Sequence, residues 1–199
     1  MLWTGERVLP LQQQHDVRDL QAHAARYLWA MRYCVHKNVL DVASGEGYGS
    51  WILSWAADEV DGIDLSEEAI AHATVTYANQ NGSRVAYAVM NAEEITFEEN
   101  LFDVVVSFET IEHLYFPEKL VAQVHRVLKP GGLFICSAPE NSGSTFHVVD
   151  YTKSDLDGLL WRHFGKREYY VQDVGREMEI RPNDLPTSEH PTHIFICTK

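Results

Sequence analysis

Residues 39–49 read Val-Leu-Asp-Val-Ala-Ser-Gly-Glu-Gly-Tyr-Gly. A short apolar run ends at Asp41 and turns through Gly45, Gly47 and Gly49 before helical residues resume. Glycine adopts backbone conformations closed to other residues, and the helix start that follows offers amide groups to a ligand. Asp64 lies about 20 residues further on, at the end of the next apolar run, where a carboxylate suits a ribose diol. Two ligand classes share this layout: dinucleotides, and an adenosyl group carrying a sulfonium. The spacing separates them. Gly-x-Gly-x-Gly is not the Gly-x-Gly-x-x-Gly of dinucleotide sites. Asp41 and Glu46 also flank the turn. Carboxylates there repel a pyrophosphate and attract an ammonium and a sulfonium.

A second group is Glu109-Thr110-Ile111-Glu112-His113. If the chain turns helically there, Glu109, Glu112 and His113 share one face. His147 could complete the group. Two uses stand open. One is a divalent ion: oxygen ligands favour Mg²⁺, and two histidines shift preference toward Mn²⁺, Zn²⁺ or Fe²⁺. The other needs no ion: His113 or Glu109 serves as general base toward an acceptor hydroxyl, and His147 is a polar loop residue. No Gly-x-Ser-x-Gly frame and no phosphate-binding Gly-x-x-x-x-Gly-Lys-Ser/Thr loop occurs in the chain.

Short β-rich runs alternating with amphipathic helical runs must position these groups, a pattern that signals an α/β fold with a parallel sheet. Residues 16–33 read as a helix, with Leu20, Ala24, Tyr27, Leu28 and Met31 at helical spacing. Strands are expected near 39–42, 59–63, 84–89, 102–108 and 133–137, with two more near 168–172 and 194–198. A helix capped by Ser66 is expected to run to Asn81-Gly82. Another begins at Pro117 and buries Leu120, Val121, Val124 and Leu128, and Lys129-Pro130-Gly131-Gly132 ends it. The polar stretch bearing Pro182, Pro186 and Pro191 reads as a loop, a candidate lid.

The segments VLDVASGEGYGS, VDGIDLS, MNAEEITF, FDVVVSFETIEHL and RVLKPGGLFICSAPE, in this order, resemble the class I S-adenosylmethionine-dependent methyltransferases of the small-molecule type. The likeness is strong over residues 37–140 and looser in the flanks. It implies a Rossmann-like, seven-stranded, mostly parallel sheet with helices on both faces, and residues 194–198 as an antiparallel seventh strand. It implies that Asp41, Ala43, Ser44, Gly45 and Gly47 cradle the methionine part of S-adenosylmethionine. Asp64 then takes the ribose, Leu65 flanks the adenine, and Asn91, Ala92 and Glu93 meet the adenine. Many relatives carry Asp at position 91; Asn both accepts and donates, so it still suits the base. Phe108 and Glu109 fall near the reacting centre. The Glu109, Glu112, His113 and His147 pattern is also similar to the metal-binding pattern of ubiquinone-pathway O-methyltransferases and of terminal RNA 2′-O-methyltransferases. Thr4-Gly5-Glu6-Arg7 and His23-Ala24-Ala25-Arg26-Tyr27 resemble segments that precede the fold in glycan- and sugar-modifying methyltransferases. There Arg26 could pair with the cofactor carboxylate; alternatively Arg26 and His23 sit on a solvated helix face.

The 199 residues are 45% hydrophobic and 23% charged, with a net charge of −13. They read as one domain, with residues 1–36 a helical cap over the cofactor and 37–199 the Rossmann-like core. The acidity opposes nucleic acid and anionic lipid as partners. Cys34, Cys136 and Cys197 are too few and scattered for a disulfide framework, which points to a reducing cytosol. No apolar run is long enough to span a bilayer, and the first residues lack a secretory pattern. The expected reaction is O-methylation of a small hydroxylated acceptor such as a sugar, glycan or metabolite. The alternatives are a metal-assisted RNA ribose 2′-O-methyltransferase and a non-catalytic cofactor-binding subunit. A homodimer is left open.

Overall fold

The computed structural model describes residues 17–78, 82–140, 142–173, 175–176, 178–182, 188 and 190–199. Thr4-Gly5-Glu6-Arg7, the residues before Val17, and Pro186 lie outside them, as does Asn81 at the expected end of the Ser66 helix. Five strands run parallel: β1 (Asn38–Val42), β2 (Glu59–Asp64), β3 (Val85–Val89), β4 (Phe102–Phe108) and β5 (Leu128–Pro139). Two more, β6 (Lys166–Gln172) and β8 (Thr192–Thr198), extend the sheet antiparallel to their neighbours, and β7 (Ile180–Pro182) pairs with β6. The order is β3-β2-β1-β4-β5-β8-β6-β7.

The expected seven strands are therefore joined by an eighth. Pro182 lacks an amide hydrogen and the stretch lacks apolar alternation, so it reads as loop; it pairs only because it lies at the sheet edge, where a proline is tolerated. The strand order reverses between β1 and β4, which opens a crevice beyond their carboxyl ends.

β4 shows why the centre of the sheet reads as a continuous apolar run. Val104, Val106 and Phe108 enter the cluster with Tyr27, Trp29, Ile52 and Leu53, and Val105 enters the opposite one, as does Phe102 beyond the register shift before Val104. Side chains alternate across a strand, and a parallel central strand is buried on both faces. α1 (Val17–Ala30) and α2 (Tyr48–Leu53) cover the first face. α4 (Pro117–Val127) and α5 (Lys153–Trp161) cover the second, α4 through fully buried Leu120, Val121 and Val124. Each of those side chains contributes about 1.5–3 kcal/mol.

Two boundaries differ from expectation. β5 begins at Leu128, and its pairing jumps from Phe102–Leu128 to Val104–Leu133. Lys129 to Gly132 thus form a bulge inside the strand, with Gly131 at φ +79. α3 (Glu67–Ala73), capped by the Ser66 hydroxyl, gives way to a π-helical turn at Thr74–Ala78, where the β-branched Thr74, Val75 and Thr76 crowd an α-helix.

Gly49, inside α2, has a packing role. A Cβ there would overlap the Tyr27 ring, itself wedged edge-on between Phe108 at 5.0 Å and Tyr48 at 5.8 Å. Gly49→Ala is expected to cost about 1–3 kcal/mol by overpacking. Urea unfolding checks this, and an unchanged midpoint contradicts it.

Candidate functional site

The turn after β1 is held from beneath and from the side. Ala43, Gly45 and Gly47 take positive φ values of 61, 57 and 91. Asp64, at the end of β2, accepts the Gly45 amide at 2.9 Å and the Ser66 amide at 2.8 Å. One carboxylate thus fixes the turn and starts α3. The Ser44 amide donates to the Ile63 carbonyl at 2.9 Å. Asp41 is fully buried, with the Ser50 hydroxyl at 2.6 Å and the Tyr27 hydroxyl at 3.3 Å.

A cavity of about 1020 Å³ opens beside this turn. Ser44, Gly45, Asp64 and Leu65 line it, with Asn91 and Ala92, Arg26 and Tyr27 of α1, and Phe108 and Glu109 from the end of β4. Glu112, His113, Glu140 and His147 line it as well, and Glu112, His113 and His147 lie together. Arg26 is 2% exposed, not solvated. Its Nη1 donates to Gln172 at 2.5 Å, and Nη2 lies 3.9 Å from Glu109. Arg26 Nε and Ser44 Oγ are buried without a hydrogen-bond partner among the described residues. A buried polar atom without a partner costs free energy. A ligand bearing a carboxylate and other polar groups would satisfy both, so these residues fit the methionine portion of an adenosyl sulfonium.

The post-β4 segment departs from the helical reading. Glu109 takes φ +51, and a 3₁₀ turn begins only at Ile111. Glu109 therefore turns away from Glu112 and His113. Its Oε1 accepts the Ser137 hydroxyl at 2.6 Å and faces Arg26. Glu112, His113 and His147 do converge, with one potential ligand atom from each within 4.8 Å of the others. The His113 Nδ1 lies 3.3 Å from the Phe146 carbonyl, and the two imidazoles meet edge-on at 5.0 Å. His147 Nδ1 sits 2.8 Å from the Ser142 hydroxyl.

Three assigned residues do not line the cavity. Asp41 lies beneath the turn and acts on it through Ser50 and Tyr27. Gly47 is packed inward, where a Cβ would come within 2.6 Å of Ala73 and 2.8 Å of Tyr87. Glu93 reaches the amide of Phe116 at 3.3 Å. Conversely, Glu140 and Gln172 line the cavity without having been singled out in the sequence, and Tyr27, named there only within its helix and segment, lines it too. Tyr27 carried a signal, since it follows Arg26. His193, behind Glu140, stands in an apolar strand whose pattern gives no hint of a polar partner.

Burial pushes the Asp41 carboxyl up from 3.8 to about 7; Ser50 and Tyr27 pull it back, and the charge on Asp64 adds to the rise. The folded chain then keeps a proton that the unfolded chain releases at lower pH. Stability from this group is present at low pH and is lost as pH rises from about 4 to about 7, by up to about 1.4 kcal/mol per pH unit. Asp41→Asn is expected to remove that slope. Unfolding midpoints at pH 5 and pH 8 check it, and an identical slope in both proteins contradicts the burial argument.

The family model for the Methyltransferase domain matches residues 40–136. The chain is 34% identical over 166 residues to a probable S-adenosylmethionine-dependent methyltransferase of Mycolicibacterium smegmatis, covering 79% of this chain and 62% of that protein. It is 31% identical over 140 residues to a ubiquinone biosynthesis O-methyltransferase of Ruegeria pomeroyi, covering 70% and 56%. The chain thus spans roughly 60% of the length of the curated relatives it matches. Among solved structures, a SAM-dependent methyltransferase from Thermotoga maritima superposes with a TM-score of 0.70 at 17% identity, covering 92% of this chain and 93% of that one. No helix among the described residues is long and apolar enough to cross a membrane.

Proposed function

This chain belongs to the class I S-adenosylmethionine-dependent methyltransferases, and from that premise we propose that it methylates an oxygen of a small hydroxylated acceptor such as a sugar, glycan or comparable metabolite. One observation carries the reading: the Asp64-braced glycine turn and the Glu112, His113 and His147 group face the same cavity. When bound, S-adenosylmethionine supplies an electrophilic methyl on a sulfonium. Asp64 would hold the ribose, Leu65, Asn91 and Ala92 would border the adenine, and Arg26 with Ser44 would take the methionine carboxylate.

The Phe146 carbonyl favours the His113 tautomer protonated on Nδ1. Nε2 is then the atom able to take a hydroxyl proton. Placing acceptor and donor in one pocket supplies the alignment that a displacement needs. The sugar or glycan preference rests on His23-Ala24-Ala25-Arg26-Tyr27 and is analogy.

A second reading keeps the reaction and adds a divalent ion. The close approach of Glu112, His113 and His147 favours it, and a mixed oxygen and nitrogen set suits Mn²⁺ or Zn²⁺ better than Mg²⁺. Release of S-adenosylhomocysteine during incubation with a sugar panel, with and without EDTA, tests both. Release that survives EDTA supports the metal-free base. Release abolished by EDTA and restored by Mn²⁺ supports the ion. Donor binding without release from any acceptor supports a non-catalytic subunit.

A further inference from the structure

Glu140 follows β5, lines the cavity and is held by the buried His193 and, behind it, the half-buried Tyr169. Its Oε2 lies 2.5 Å from Nε2 of His193, which is 3% exposed on β8. His193 Nδ1 lies 2.7 Å from the Tyr169 hydroxyl of β6. A neutral imidazole satisfies both contacts at once: the Tyr169 O–H donates to Nδ1, and Nε2–H donates to Glu140. Burial works in the same direction, lowering the His193 pKa ahead of the opposing pull of Glu140. The Glu140 amide donates to the Pro191 carbonyl at 2.9 Å, which fixes its backbone. Lys153, over the Tyr169 ring at 4.1 Å, is the cation packed against Tyr169.

Two other carboxylates that line the cavity, Glu109 and Asp173, are committed elsewhere. Glu109 is engaged by Ser137 and Arg26, and Asp173 by Arg181 and the Ser188 amide. Glu140 has its second oxygen, Oε1, without a hydrogen-bond partner among the described residues, and the residue lines the cavity. A carboxylate fixed on one oxygen and open on the other receives a hydrogen-bond donor and rejects an anion.

We propose that Glu140, positioned by His193 and Tyr169, is an acceptor-binding residue that receives a hydroxyl or protonated amine of the acceptor and excludes acceptors bearing phosphate or carboxylate. The proposal rests on the methyltransferase reading and names the charge class of its acceptor. His193 is a positioning residue, since it reaches the acceptor only through Glu140.

The test uses the full chain saturated with S-adenosylhomocysteine and three matched probes: glucose, glucosamine and glucose 6-phosphate. Binding is followed by saturation-transfer NMR for the wild type, Glu140→Gln, His193→Phe and His193→Gln. The expected result is binding of glucose or glucosamine without glucose 6-phosphate. Glucose alone identifies a hydroxyl as the donor; a marked preference for glucosamine identifies the ammonium. Glu140→Gln is expected to weaken the bound probe at least tenfold, and His193→Phe similarly. His193→Gln, which retains a donor toward Glu140, is expected to restore most of the affinity. S-adenosylhomocysteine affinity is expected to stay within threefold throughout. Preferential binding of the phosphate, no binding of any probe, or unchanged affinity in Glu140→Gln overturns the proposal. A wild-type chain that does not bind S-adenosylhomocysteine overturns instead the methyltransferase reading on which it rests.

Discussion

His113→Ala is expected to lower turnover by about 10²–10⁴-fold, the range of a positioned general acid or base, with S-adenosylmethionine affinity held within about threefold. The two effects are expected to separate. His113 lies in the 3₁₀ turn after β4 and lines the cavity, with the Phe146 carbonyl and the His147 ring beside it. Asp64 holds the glycine turn through the Gly45 and Ser66 amides, a set of partners separate from those of His113. Initial rates at saturating donor, beside calorimetric affinities, check the expectation. Equal loss of rate and affinity would place His113 in the cofactor shell or the fold. Retained turnover would move the base to another group, or to a bound ion.

Asp64→Ala carries the largest expected effect on binding. Both carboxylate oxygens are occupied by amides, of Gly45 and Ser66, so the side chain shapes the turn besides meeting the ribose. Hydrogen bonds to a charged group contribute about 1.5–3 kcal/mol, which predicts a donor affinity lowered by roughly 10–150-fold at about 1.4 kcal/mol per decade. Asp64→Asn keeps one acceptor oxygen and is expected to fall between. Isothermal titration of the three proteins checks the order. An affinity unchanged in Asp64→Ala removes the ribose assignment.

Much of this was legible in the residues because the central strands and the turn obey local rules. Val104-Val105-Val106 can only be a buried strand, and β4 occupies residues 102–108 as read. Ser66 followed by Glu67 and Glu68 caps a helix by its own chemistry. What failed depended on tertiary geometry. The sharing of one face by Glu109, Glu112 and His113 assumed an α-helical phase; the left-handed Glu109 breaks it. Asp41 looked like a ligand-facing carboxylate, but alternation along β1 turns it inward onto Tyr27 and Ser50. Arg26 was ambiguous on its helix, and only its contact with Gln172, brought from the far end of the chain, shows it buried. Glu140 and His193 are 53 positions apart and meet because β5 and β8 pair antiparallel, with Ala138 opposite His193.

The central claim concerns the charge of the ligand that the turn accepts. Calorimetric titration of the wild-type chain with S-adenosylmethionine and, in parallel, with NAD⁺ measures it directly. Saturable one-to-one binding of the sulfonium donor with no heat from the dinucleotide is the predicted result. Binding of NAD⁺ with none of S-adenosylmethionine would contradict the account at its base.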